Sequence, residues 1–204
     1  MLSEITQAVA AIGTLVVAVL AIWGGWFRSR FAGPKLRTYL RSERGHLTTR
    51  ADGVKSVFYH LVVVNDRKWS PARNVTVRLT GIESKAANDS YKPETLVHTF
   101  QFLWAHFQFH EISPTITDED QCDLGFLDEG ADKFVPPLYV TPNDFTGYVK
   151  KGESKRYTIE TSADNFYSER PLVIEISWDG TWTKDTERLM HHLVVQEVET
   201  EESS

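Results

Sequence analysis

The sequence contains little cysteine, little glycine and proline, and no excess of basic charge, and each shortage excludes a class of protein. A single cysteine, Cys122, cannot form an internal disulfide or a cysteine-rich zinc site. Twelve glycines and 8 prolines among 204 residues exclude a collagen-like or low-complexity chain. A formal net charge of −6 argues against a general nucleic-acid binder. The composition therefore favours an ordered chain of one domain with an appendage, and we expect no nucleic-acid partner.

Sequence signatures of catalysis and cofactor binding are also missing. The chain has no Gly-x-Ser-x-Gly, no Gly-x-x-x-x-Gly-Lys, no Gly-x-Gly-x-x-Gly and no His-Glu-x-x-His. These patterns place a nucleophile, a phosphate group or a zinc ion in a defined local structure. We therefore predict that the protein is not an enzyme and holds no cofactor or metal.

The most specific positive signal is a long apolar run near the start. Residues 5–27 are 23 positions without a charge. As a helix they would span roughly 34 Å, enough for a hydrocarbon core of ~30 Å. A cleaved signal peptide is disfavoured, because the run is too long and its first residues carry no positive charge. We predict a transmembrane anchor over residues 1–30, with four residues at the membrane interface: Trp23, Trp26, Arg28 and Arg30.

Charge is divided unevenly between the two parts of the chain. Residues 28–50 carry seven basic side chains and one acidic side chain, whereas residues 51–204 carry 15 basic and 26 acidic side chains. Basic flanks remain on the cytoplasmic side of a membrane. We therefore predict a single-pass protein of a bacterial inner membrane, with its N-terminus outside. A basic juxtamembrane linker, residues 31–35, leads to a body in the cytoplasm, and the basic segment faces the lipid bilayer.

Small side chains recur on one face of the predicted membrane helix. Ala8, Ala11 and Ala18 are spaced by three and by seven residues, so they share that face. Small residues let two membrane helices approach closely. The stripe predicts self-association of the helix, and hence a homo-oligomer.

After residue 35 the pattern changes to the period of two that is typical of β-strands. Leu36, Thr38 and Leu40 alternate with polar neighbours, and Val57 begins a run that is apolar on both faces. We predict an antiparallel β-sandwich over residues 36–198, with a closed barrel as the alternative, and an acidic disordered tail over residues 199–204. Strands are expected at residues 36–41, 57–64, 74–81, 97–104, 122–127, 138–140, 156–161, 171–178 and 189–198. A helical start of the last segment is the alternative, because Asp185-Thr186-Glu187-Arg188 favours a helical turn.

Several short segments resemble a group of uncharacterised bacterial single-pass membrane proteins that carry a cytosolic immunoglobulin-like domain. The segments are Tyr59-His60-Leu61-Val62-Val63-Val64-Asn65, Pro71-Ala72-Arg73-Asn74-Val75-Thr76-Val77, Ile112-Ser113-Pro114, Cys122-Asp123-Leu124-Gly125 and Ser162-Ala163-Asp164-Asn165. The resemblance implies an immunoglobulin-like or fibronectin-III-like sandwich and a single-pass topology. It implies no activity.

Polar side chains suggest a few candidate sites, and each has a simpler interpretation. His106 and His110, with His98 nearby, have the spacing of metal ligands, but a polar face or a loop is favoured. His191 and His192 would point to opposite faces of a strand and so could not share one metal ion. Cys122 is predicted to share one strand face with Leu124 and Phe126 and is expected in the core. The acidic residues Asp118, Glu119, Asp120, Asp123, Asp128, Glu129 and Asp132 are expected to form a solvated loop.

Aromatic side chains are dense between residues 100 and 109. Phe107 and Phe109 have polar neighbours, so they are candidates for a recognition surface. A sandwich fixed to a membrane by one helix can hold such a surface near the bilayer. The sequence therefore favours a binding or scaffolding module with a protein partner. The alternative is a ligand-sensing membrane effector, for example in antiviral defence, that oligomerises through its helix.

Overall fold

The computed structural model describes residues 12–14, 17–19, 32–96, 98–105, 113–167 and 170–198. The described part of the body is mainly antiparallel β structure of a β-sandwich-like class, which confirms the predicted class. Its strands are β1 Leu36–Leu40, β2 His46–Thr49, β3 Lys55–Asn65, β4 Thr76–Lys85, β5 Tyr91–Pro93, β6 Phe100–Gln101, β7 Glu119–Asp128, β8 Lys133–Phe134, β9 Val149–Lys150, β10 Glu153–Ala163, β11 Phe166–Tyr167, β12 Leu172–Trp178 and β13 Leu193–Glu197. A short helix, α1, covers Thr186–Leu189.

The first sheet is built around β3. β7 pairs with β3 along one edge, and β1 and β2 share the other edge. β3 is apolar on both faces because it is the central strand, whereas β1 has one wetter face because it lies at an edge. A β-bulge in β7 leaves Leu124 without a partner on β3, opposite the step from Tyr59 to His60.

The second sheet has the order β13-β12-β10-β4, and β5 and β6 both pair with the outer edge of β4. A β-bulge interrupts the pairing of β4 with β10, because Thr158 lies opposite Gly81 and Ile159 lies opposite Leu79. The predicted end of this strand at Gly81 is wrong. The bulge takes up one residue, and pairing continues to Lys85.

The core lies between the two sheets. On β3 the inward side chains are Val57, Tyr59, Leu61 and Val63, and each is 0% exposed. Side chains of the second sheet complete the same apolar cluster. Burying a Val, Leu or Ile side chain stabilises a fold by roughly 1.5–3 kcal/mol, so the alternation along each strand fixes which face packs inward.

Residues 100–105 connect the two sheets. Phe100 pairs with Leu79 on β4, whereas Trp104 forms a bridge with Cys122 on β7. The chain therefore changes sheets within this segment. For that reason β6 is only two residues long, although a strand was predicted over residues 97–104.

Two other predicted strands are also corrected. Leu138 makes a single bridge with Phe102, and no strand continues over residues 138–140. The last predicted strand begins too early, because Leu189 closes α1, and β13 starts only at Leu193. The side chain of Asp185 caps α1 by accepting from the backbone N–H groups of Glu187 and Arg188.

The predicted transmembrane segment falls mainly outside the described residues. Residues 12–14 and 17–19 are helical. Among the described residues no helix is both long enough and apolar enough to cross a membrane. Within the described fragments of this segment, the side chains of Ile12 and Val17 are 63% and 67% exposed.

Candidate functional site

The outer face of the first sheet carries an aromatic and polar strip. Directly opposite residues of an antiparallel pair share a face. Phe58 on β3 therefore lies beside Phe126 on β7, with ring centroids 5.2 Å apart. His60 on β3 lies beside Asp123 on β7. We call these four residues the outer strip.

At the centre of the outer strip is a histidine–carboxylate pair. Nδ1 of His60 is 2.8 Å from Oδ1 of Asp123. The carboxylate of Asp123 accepts, so Nδ1 of His60 donates, and in the neutral form of such a ring Nε2 is an acceptor. The His60 side chain is 19% exposed and that of Asp123 is 7% exposed. The pair can therefore offer one directed hydrogen-bonding nitrogen within a mostly dry surface.

Aromatic and apolar side chains surround this pair on the same face. The ring of Phe58 stacks on the ring of His60, with centroids 6.3 Å apart. Val62, opposite Tyr39 of β1, is only 4% exposed although it points away from the core. Phe58, Phe126 and Val62 thus form an apolar patch on the outward face of the first sheet, and polar side chains such as Glu119 and Gln121 flank it on β7.

The outer face of the second sheet is polar by contrast. Nε of Arg156 on β10 is 2.9 Å from Oε2 of Glu175 on β12. The guanidinium of Arg156 also lies 3.7 Å from the ring centroid of Tyr91. Arg78 and Glu160 on the same face are exposed. Only the first of the two sheets, as described, therefore turns stacked aromatic rings outward.

A second polar cluster is buried at the edge of the second sheet. Nζ of Lys155 donates to Oε1 of Glu94 and to the carbonyl of Thr146, each at 2.6 Å. Ser84 and Thr146 donate to the same carboxylate through their hydroxyl groups. Every polar partner in this cluster belongs to the protein itself. The cluster therefore fixes the loop that carries Thr146 and Gly147 against the sheet.

The two adjacent histidines lie in a turn, so their predicted placement on a strand is wrong. Nδ1 of His192 is 2.7 Å from Oδ2 of Asp179. Slight burial raises the pKa of Asp179, but hydrogen bonds from His192 and Thr181 outweigh it and lower that pKa below its ordinary value. His191 is exposed. The contact between His192 and Asp179 joins the end of β12 to the turn after α1.

The expectation of a solvated acidic loop is wrong, because most of these acidic residues belong to β7 or lie at its ends. Asp123 pairs with His60, Asp128 pairs with Arg50, and Asp118 pairs with Lys68. Within the described residues no three His, Cys, Asp or Glu side chains form a group that could hold a metal ion. The carboxylates instead connect neighbouring strands and loops.

Cys122 is 0% exposed and lies on the inward face of β7. Burial raises the pKa of its thiol well above the ordinary value, and the nearby charges of Asp123 and Asp120 raise it further. A thiol held protonated in the core is a poor nucleophile. The placement of Cys122 in the core is thus confirmed.

Most of the other residues singled out from sequence lie outside the described residues. These are Trp23, Trp26, Arg28 and Arg30 at the predicted membrane interface, Ala8 and Ala11 of the predicted stripe, Phe107 and Phe109 of the predicted recognition surface, and His106 and His110. Ala18 lies in a helical stretch and is exposed, and His98 is exposed.

Sequence reasoning missed the outer strip because its members are distant in the chain. His60 and Asp123 are separated by 63 positions. One signal was available, since His60 interrupts an otherwise apolar strand that was predicted to be buried on both faces. A polar side chain there requires a partner from a neighbouring strand.

One end of the sandwich receives the chain from the N-terminal segment. It is formed by residues 32–35, by residues 66–75 and by residues 113–118, and we call it the proximal end. Gly33 and Pro34 are buried there. The backbone N–H of Lys35 donates to Oδ1 of Asn65 at 3.2 Å. The residues before β1 are therefore packed against the domain.

Comparisons with protein-family models, with curated proteins and with solved structures returned no match. The geometry above is accordingly the basis of the functional argument.

Proposed function

We propose that this chain is a membrane-anchored binding module. A helix over residues 5–27 crosses the bacterial inner membrane once, and an immunoglobulin-like sandwich lies on the cytoplasmic side. The module presents the outer strip to a protein partner, and it acts as a scaffold rather than as an enzyme. The observation that carries this proposal is the stacked pair of Phe58 and Phe126, which the first sheet turns outward.

The outer strip has the features of a recognition surface. Interface centres are enriched in aromatic residues and depleted in charged ones. Phe58 and Phe126 supply a stacked pair of rings, and Nε2 of His60 supplies an acceptor beside the ring of Phe58. A partner that covers these rings removes apolar area from water, and one donor to His60 fixes its orientation.

Two observations support a fixed position near the membrane. Ile12 and Val17 expose apolar side chains on helical turns, as a lipid-facing helix does. Residues 32–35 are hydrogen-bonded to the sandwich, so no long flexible linker separates the body from the predicted anchor. The basic residues between positions 28 and 50 support the cytoplasmic orientation.

Photo-crosslinking in living cells tests the binding surface. A benzoylphenylalanine at position 126 replaces one aromatic ring by another at the outer strip. The same residue at position 160, exposed on the outer face of the second sheet, is the matched control. We expect a discrete adduct with another protein at position 126 and none at position 160.

Two results would contradict the proposal. Equal labelling at both positions, or none at either, would show that the outer strip has no preferred partner. An adduct of two copies of this chain would instead support the oligomerising effector. A hydrogen bond from the partner to Nε2 of His60 predicts a further result. His60→Phe keeps an aromatic ring but removes Nε2, so it should weaken the adduct severalfold.

A further inference from the structure

Trp69 is exposed at the proximal end. Its side chain is 68% exposed, and it lies between β3 and β4. A tryptophan ring has 150–250 Å² to bury, roughly, so leaving it in water forgoes a large stabilisation. The position of Trp69 therefore requires a specific explanation.

The loop that carries Trp69 is held rigidly in place. Asn65, which is 0% exposed, accepts from the backbone N–H of Arg67 at 3.1 Å and donates to the carbonyl of Ser70 at 2.9 Å. Trp69 therefore lies on a loop fixed from both sides. Its exposure is set by the fold.

The same loop is bonded to the residues that arrive from the N-terminal segment. Nη1 of Arg67 donates to the carbonyl of Gly33 at 3.1 Å, and Oγ of Ser70 donates to the carbonyl of Ala32 at 2.9 Å. Five residues lead from Phe27, the last of the predicted span, to Ala32. Even fully extended, they reach no more than roughly 17 Å.

With the proposed anchor in the membrane, this limit lets the loop of Trp69 reach the bilayer surface. The headgroup region on each side of the hydrocarbon core is ~5–8 Å thick. Tryptophan favours that region because its ring is apolar and its N–H is polar. The loop thus combines the preferred residue with the required position.

The charges around Trp69 show a small basic excess, and part of it is neutralised by ion pairs. Residues 66–73 contain three basic side chains and one acidic side chain. Lys68 is paired with Asp118 at 2.6 Å, and Arg37 with Asp66 at 3.3 Å. The apolar ring, rather than net charge, is therefore the main contact.

We propose that the loop of residues 66–73 is a second membrane contact, in which Trp69 inserts into the headgroup region of the cytoplasmic leaflet. This inference rests on the proposed membrane anchor. Together, the anchor and Trp69 hold the sandwich at two points and fix its orientation, so that the outer strip faces a constant direction relative to the membrane.

A depth measurement on the full chain in vesicles tests the contact. Trp69→Cys carries an environment-sensitive fluorophore, and Cys122 does not compete for the label because it is buried. The matched control is Ala87→Cys, which is exposed in the loop after β4. β4 spans about 30 Å from Thr76 to Lys85, so this loop lies far from the proximal end.

The vesicles contain phosphatidylcholine with or without phosphatidylglycerol, and a lipid with a nitroxide near its headgroup. We expect a blue-shifted emission and strong quenching of the label at position 69, and neither effect at position 87. A label at position 69 that is blue-shifted but not quenched would show a protein contact and overturn the inference. Equal behaviour at both positions would overturn it as well.

Alkaline extraction of the same vesicles separates the two possible failures. A chain released by alkali has no membrane anchor, and the proposed function fails. A chain retained in the membrane with position 69 unquenched keeps the anchor and loses only the second contact.

Discussion

Nζ of Lys155 lies 2.6 Å from Oε1 of Glu94, although the two residues are 61 positions apart in the chain. Lys155 points inward from β10 and is 6% exposed. Glu94 follows β5 at the opposite edge of β4. The pair therefore connects β10 with the segment after β5, across β4.

Removal of the carboxylate should be strongly destabilising. Glu94→Ala leaves the buried ammonium of Lys155 without its counter-charge, which costs about 3–5 kcal/mol. Burial raises the pKa of Glu94, but hydrogen bonds from Lys155, Ser84 and Thr146 outweigh it, so the net pKa lies below the ordinary 4.5. Because the pKa is lowered in the folded state, the stabilisation is present above pH 4.5 and is lost as pH falls through the lowered value.

Urea unfolding at a series of pH values checks both statements. Glu94→Gln should flatten the loss of stability in acid, whereas Glu160→Gln, at an exposed position on the outer face of the second sheet, should leave it unchanged. A Glu94→Gln variant with the parent's pH dependence would contradict the role of this carboxylate.

Two buried tyrosines should respond in opposite ways to loss of the hydroxyl group. The hydroxyl of Tyr157 donates to the carbonyl of Gly147, whereas that of Tyr59 has no hydrogen-bond partner within the described structure. Tyr157→Phe should lower the free energy of unfolding by ~1–3 kcal/mol, because it leaves a carbonyl unpaired. Tyr59→Phe should raise it by ~1 kcal/mol or leave it unchanged. Equal destabilisation of the two variants, measured by urea titration, would refute the difference.

Gly125 should not tolerate a side chain unless Phe134 is reduced. A Cβ at position 125 would lie 2.1 Å from Cζ of Phe134. Gly125→Ala should therefore cost about 1–3 kcal/mol through overpacking. Phe134→Leu should remove part of that cost in a double-mutant cycle. The control is Gly130→Ala, where a Cβ meets nothing within 4 Å and the cost of the positive φ is independent of Phe134. Additive effects of Gly125→Ala and Phe134→Leu would show that the ring of Phe134 moves aside without cost.

The predicted topology gives a further expectation. A reporter enzyme fused after Ser204 should be active in the cytosol, because the basic flank at residues 28–50 is retained there. The matched measurement uses a reporter that is active only in the periplasm, fused at the same position, and it should be inactive. Digestion of the tail by external protease in intact cells would reverse the orientation and the proposed placement of the sandwich.

The predicted stripe of small residues is testable in the full chain. Ala11→Ile combined with Ala18→Ile keeps the segment hydrophobic and blocks close approach of two helices. We expect cross-linked dimers to decrease severalfold. Val16→Ile combined with Leu20→Ile changes the opposite side of the helix and serves as the control. Unchanged cross-linking in the first variant would show that the stripe is incidental.

Local pattern located most strand centres. β3 was predicted because its apolar residues continue on both faces, and β1 because its residues alternate with polar neighbours. The helical turn of α1 was suggested by the segment Asp185-Thr186-Glu187-Arg188. These features depend on neighbouring residues alone, so the sequence is sufficient to find them.

Local sequence pattern did not locate the outer strip. The sequence pointed to Phe107 and Phe109, whereas the described structure brings Phe58 and Phe126 together on an outer face. The bulge at Leu124 changes the register of β7 by one residue and brings Asp123 opposite His60. A one-residue shift moves every later side chain to the other face, and no local pattern specifies where such a shift occurs.

The sequence by itself determined the strand-forming segments, the long apolar run and the division into a basic flank and an acidic body. These depend on composition and on spacing along the chain. Only the tertiary structure decided that Lys155 meets Glu94, that His60 meets Asp123 and that Trp69 lies beside residues 32–35. The reason is physical: each contact joins segments far apart in the chain, and strand pairing and bulges set it through packing of the whole core.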